Sequence, residues 1–72
     1  MNTGFLRQSK WTNGRWCINN NELSCGYPIS IRIENKWLKG RVEHNGKSYY
    51  FLSDNLKLDL SESLYVRDDY KK

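Results

Sequence analysis

The chain has 72 residues, 38% hydrophobic and 14% aromatic, with twelve Lys and Arg against eight Asp and Glu for a net charge of +4. That length excludes a second domain and leaves room for one small core, built largely from bulky side chains. The mildly basic balance favours phosphate-bearing or acidic partners over basic ones.

There is no alanine, the one methionine is Met1, and the apolar residues are mostly Leu, Ile, Trp, Tyr and Phe, a composition biased toward strands. Met1 to Lys10 lacks the apolar run of a signal peptide, and nowhere are there roughly 18 consecutive apolar residues to cross a bilayer. The expected compartment is the cytoplasm, with no membrane partner. In that reducing setting Cys17 and Cys25 are expected to be free thiols.

Asn13-Gly14 separates Ser9 to Thr12 from Arg15 to Ile18, and Asn-Gly predicts a type I′ hairpin turn, since both residues tolerate positive φ. The polar run Asn19 to Glu22 ends that strand, and Leu23 to Pro28 reads as a loop. Ile29, Ile31 and Ile33 then alternate with Ser30, Arg32 and Glu34, the period of a half-buried strand. Asn35-Lys36 predicts a turn into a strand over Trp37 to His44, and Asn45-Gly46 a turn into Lys47 to Leu52. Leu56 to Leu60 alternates too briefly to separate a strand from a helical turn. Leu64 to Arg67 is the last predicted strand, and residues 1–3 and 68–72 are expected to be flexible ends.

Five to six short antiparallel strands with little or no helix predict a single all-β domain over 1–72, a small SH3-like barrel. Two-residue turns at Asn35-Lys36 and Asn45-Gly46 oppose Ile33 with Leu38, Ile31 with Gly40, Ile29 with Val42, Val42 with Tyr49 and Gly40 with Phe51. These residues form the expected core face, on which Gly40 leaves room for the Phe51 ring.

The opposite face collects Arg32, Lys39, Arg41, Tyr50 and Trp37, with Arg32 expected directly across from Lys39. Like charges so opposed cost a few tenths of a kcal/mol unless an anion relieves them. Cations interleaved with aromatics are how small barrels hold nucleic acid, the charges meeting phosphates and the rings meeting bases. The plainer reading is a solvated outer face.

Counting from Asn13-Gly14 opposes Trp11 with Trp16 at a non-hydrogen-bonded pair, where the rings are expected to touch. Such a pair contributes about 0.5 to 1.5 kcal/mol beyond its buried area and staples the hairpin. In a functional role its outer surfaces, flanked by Lys10 and Arg15, form an aromatic anchor for a base, a proline or a cation.

No catalytic constellation is legible. The single histidine, His44, lies beside a turn, the carboxylates are scattered, and no Gly-rich loop leads into a helix. Cys17, Cys25 and His44 are three soft ligands without CxxC spacing, where structural zinc takes four. The expectation is a non-enzymatic protein with no metal and no cofactor, either monomer or homodimer.

Leu23-x-Cys25-Gly26, the alternating Ile29, Ile31 and Ile33, Asn35-Lys36-Trp37, Arg41-x-Glu43, Tyr50 and the closing Leu64-x-Val66-Arg67 resemble an uncharacterised family of short proteins from conjugative elements, plasmids and phages of Gram-positive bacteria. The chain departs from that pattern at Tyr27-Pro28, where an acidic residue is usual, and at Lys36, where a glycine is. The resemblance implies an accessory protein of a mobile element or phage. Two readings stand: from the basic and aromatic face, a binding module for nucleic acid or a nucleoprotein complex acting through Arg32, Lys39, Arg41, Tyr50 and Trp37; and, in the setting the resemblance implies, a host-defence inhibitor of the anti-CRISPR type that grips a host protein through anchors drawn from Trp11, Trp16 and Trp37.

Overall fold

The computed structural model describes residues 3–54 and 56–70. Among them the chain forms nine short strands and no helix: β1 (Thr3–Phe5), β2 (Arg7–Gln8), β3 (Trp16–Ile18), β4 (Asn21–Glu22), β5 (Pro28–Ile33), β6 (Lys36–His44), β7 (Tyr49–Leu52), β8 (Lys57–Asp59) and β9 (Tyr65–Asp68). The all-β class therefore holds, with more and shorter strands than expected. Six of them make one antiparallel sheet in the order β1-β9-β5-β6-β7-β8, and β2-β3-β4 make a second.

The chain passes directly from one sheet into the other at its start. β1 and β2 are consecutive, and between them Leu6 is fully buried while its N–H donates to the Leu64 carbonyl at 3.1 Å. One buried side chain thus carries the chain from one sheet to the other. The core between them comprises Leu6, Ile18, Leu23, Ile29, Ile31, Val42, Phe51, Leu60 and Val66, with Trp16, Leu38, Tyr49 and Leu64 packed around it. Each fully buried Leu, Ile, Val or Phe contributes about 1.5 to 3 kcal/mol, so this cluster is the main source of stability.

Both meander turns fall elsewhere than the sequence suggests. Glu34-Asn35 closes β5 to β6, so Ile33 faces Lys36, Ile31 faces Leu38 and Ile29 faces Gly40. In the next hairpin Asn45 N–H donates to the Ser48 carbonyl, and the Asn45 side chain accepts from the N–H groups of Lys47 and Ser48 (both 2.9 Å). Val42 therefore opposes Phe51 and His44 opposes Tyr49. Each register is displaced by two residues from the expected one. Because side chains alternate with a period of two, this slip keeps every residue on its expected face. Ile33 is the exception in burial: moved beyond the core, it is 44% exposed.

Gly40 does make room for Phe51. A Cβ there would lie 2.5 Å from Phe51 Cζ, 2.6 Å from Cε1, and against the Leu52 carbonyl oxygen.

The first hairpin differs more. β2 pairs with β3 as Arg7 with Cys17 and Gln8 with Trp16, so Trp11 is not the partner of Trp16. Ser9 N–H donates to the Arg15 carbonyl (2.7 Å) and Arg15 N–H to the Thr12 carbonyl (3.2 Å), which extrudes Lys10 and Trp11 from the ladder. Gly14 has φ of 83° but Asn13 does not have positive φ, which excludes type I′. The expected tryptophan staple is absent: Trp16 packs on the core while Trp11 is 66% exposed.

Asn19 with φ of 56° supplies a turn that returns the chain as β4. Residues 57–59 resolve the ambiguous leucine stretch as a strand. The expected flexible ends are partly built in: Thr3 belongs to β1, Asp68 belongs to β9, and Tyr70 stacks on Tyr27 at 5.4 Å. Residues 1–2 and 71–72, which share that expectation, lie outside the described residues.

Candidate functional site

β9 enters the large sheet between β1 and β5, and this insertion builds the outer face. Thr3, Arg67, Ser30 and Lys39 are successive partners across β1, β9, β5 and β6, and beside them lie Phe5 opposite Tyr65 and Arg32 opposite Trp37. Alternation puts all of these side chains away from the core.

Three aromatic rings meet there. Phe5 packs edge-on to Tyr65 with centroids 5.1 Å apart, and Tyr65 lies 6.0 Å from Trp37. The Tyr65 hydroxyl donates to Thr3 Oγ1 at 3.1 Å, drawing its ring toward β1. Arg67 sits over the Trp37 ring, 5.1 Å from its centroid. Its guanidinium is held by two further bonds, from Nε to Asp69 Oδ1 at 2.7 Å and from Nη2 to Ser30 Oγ at 2.9 Å. Ser30, fully buried, in turn donates to Asp69 at 2.5 Å. Burial pushes the Asp69 carboxyl up, but the bonds from Arg67 and Ser30 and the charges of Arg67 and Lys39 outweigh it and hold the group below its usual value. Next to this network a groove of about 610 Å³ opens between Pro28, Lys39, Arg67, Asp69 and Tyr70.

The sequence-derived site residues divide into two sets. Arg32, Trp37 and Lys39 lie on this face together, with Lys39 opposite Ser30 and not opposite Arg32. The expected repulsion between Arg32 and Lys39 is thereby removed. Arg32 is exposed and its Nε donates to the Glu34 carbonyl at 3.3 Å. Arg41 is tied to Glu43 at 2.6 Å. Tyr50 is separated from the rest: it stands between Glu43 and Asp59 on the neighbouring strands, and Lys57 Nζ covers its ring at 4.5 Å. Sequence reasoning missed Phe5, Tyr65 and Arg67. The strand that carries Tyr65 and Arg67 is legible in the sequence and the one that carries Phe5 is not, and nothing local says that β9 docks between β1 and β5.

The loop around Trp11 is held by polar contacts. The N–H groups of Trp11 and Thr12 donate to Ser9 Oγ (3.0 and 3.1 Å), and Ser9 donates to Glu22. Hydrogen bonds from Ser9 and Thr12, with the nearby Arg15 charge, keep the Glu22 carboxyl below its ordinary range. Arg15 lies 3.9 Å from Glu22 and is half-buried, whereas Lys10 is exposed.

Cys17 is buried and Cys25 exposed, and both are free thiols. Burial raises the Cys17 thiol, and the hydrogen bond to Glu43 (3.1 Å) is the main cause that raises Cys25. His44 accepts the Gly46 N–H at Nδ1 and packs edge-on to Tyr49. Among the described residues no group of three or more His, Cys, Asp or Glu is placed to hold a metal ion, and no helix is long and apolar enough to cross a membrane.

Fold and face together define a small all-β protein with an aromatic and basic sheet surface. The chain belongs to the family described as a domain of unknown function, DUF5348, whose match covers residues 9–67. No curated protein and no solved structure matches it.

Proposed function

We propose that this DUF5348 protein is a non-enzymatic binding module that takes nucleic acid, free or within a nucleoprotein complex, on the outer face of β1, β9, β5 and β6. The observation that carries the reading is the aromatic run Phe5, Tyr65 and Trp37 set among Arg32, Lys39 and Arg67. Rings that meet bases and cations that meet phosphates are the two elements sequence-tolerant nucleic-acid binding requires. The net charge of +4 acts in the same direction. The setting, an accessory protein of a mobile element or phage at work in the cytoplasm, rests on the resemblance drawn from the sequence motifs. Mobility-shift titrations at low salt with single- and double-stranded DNA and RNA test the reading. A complex weakened in Arg32→Ala and Lys39→Ala supports it, and no complex with any of the four refutes it.

One observation favours a second reading, an anti-CRISPR-type inhibitor of a host protein. Trp11 is 66% exposed on a loop pinned at Ser9, and tryptophan is a preferred interface anchor. Affinity capture of a host CRISPR nuclease, lost in Trp11→Ala with the fold intact, is the expected result. Capture that survives the substitution removes the anchor role.

A further inference from the structure

On the outer face exposed Phe5 leads a run of three rings, with Tyr65 and Trp37 half-buried beside it, and few of the charges are available. Of its four cations, Arg41 is engaged by Glu43 (2.6 Å) and Arg67 by Asp69 (2.7 Å). Arg32 and Lys39 are in ion-pair contact with no carboxylate among the described residues. A duplex buries its bases in the stack, so a sheet face of this kind meets it chiefly through phosphates, and two uncommitted cations give that mode little affinity.

The aromatic side is better provided. Centroid spacings of 5.1 and 6.0 Å from Phe5 to Tyr65 to Trp37 make a continuous run, and Phe5 is 53% exposed at its end. The run is also held in place without a ligand, by the Tyr65 bond to Thr3 and by Arg67 clamped over Trp37 through Asp69 and Ser30. Side chains fixed beforehand lose little entropy on binding. Only unpaired bases reach such a surface.

We infer that the face selects single-stranded over double-stranded nucleic acid, with bases resting on Phe5 and the Tyr65–Trp37 pair and phosphates at Arg32 and Lys39. This rests on the nucleic-acid reading above. Anisotropy titrations compare fluorescein-labelled thymidine and uridine strands of about ten nucleotides with a duplex of the same length. The strands are expected to bind about tenfold or more tighter than the duplex. Their log–log salt slope is expected near about −1.4, two phosphates at about 0.7 each. Phe5→Ala should weaken strand binding by about fivefold to a hundredfold, with Phe5→Tyr restoring it and thermal melts showing both variants folded. A duplex bound as tightly as the strands, or no loss in Phe5→Ala, overturns the inference and leaves the nucleic-acid reading standing. Failure of every probe overturns both.

Discussion

Gly40→Ala offers the most demanding check on the packing that carries the outer face. The added Cβ falls 2.5 and 2.6 Å from two atoms of the Phe51 ring and against the Leu52 carbonyl oxygen, and Phe51 is fully buried. Neither neighbour yields easily, since the ring is enclosed by core and the oxygen belongs to the backbone of β7. Overpacking of this kind costs about 1 to 3 kcal/mol. Gly40 has no positive φ, so alanine adopts the same backbone and regains about 0.4 to 1 kcal/mol through the unfolded chain. With a backbone atom in the clash the cost lies at the upper end, and the net loss is about 2 kcal/mol. For a domain of this size that lowers Tm by about 8 to 16 °C. Thermal and urea unfolding followed by circular dichroism measure it. The substitution should cost less in a Phe51→Leu background, with a coupling of about 1 kcal/mol. An unchanged or raised Tm for Gly40→Ala refutes the close approach, and simple additivity with Phe51→Leu refutes the ring's part in it.

Acid should destabilise the fold through Asp69, Glu22 and Glu43, the last held down chiefly by its bond from Cys25 and then by Arg41. All three carboxyls lie lower in the folded than in the unfolded chain. Their stabilisation is thus complete above the unfolded values, about 4, and is lost as pH falls through the folded ones. Tm should drop between about pH 5 and pH 2, less steeply in Asp69→Asn, and a flat profile contradicts this. Trp11→Ala should change stability by no more than about 0.5 kcal/mol, while Trp16→Ala costs about 2 kcal/mol or more, because only Trp16 packs on the core; equal losses in chemical denaturation would restore the staple. Glu34 carries φ of 57°, a left-handed conformation that asparagine tolerates better, so Glu34→Asn should raise stability by about 0.5 to 1 kcal/mol in the same assay, and a loss would show that its side chain matters more than its backbone.

Alternation alone determined which residues share a face. Ile29, Ile31, Val42 and Phe51 point inward and Arg32, Trp37, Lys39 and Arg41 outward, as their period of two requires, and the all-β class follows from the same signal. Register was decided only by the tertiary structure. A slip of two residues leaves every face unchanged, so hydrophobic pattern cannot distinguish the two pairings; the observed turns, Glu34-Asn35 and the loop from Asn45 to Ser48, go with the register the whole sheet adopts. At the hairpin around Trp11, hydrogen bonds gathered by Ser9 and Glu22 extrude the residue that Asn13-Gly14 would have paired. The candidate site depended most on long-range structure. Tyr65 and Arg67 reach Phe5 and Trp37 because β9 inserts between β1 and β5, and no local property of residues 65–68 encodes which strands they will meet.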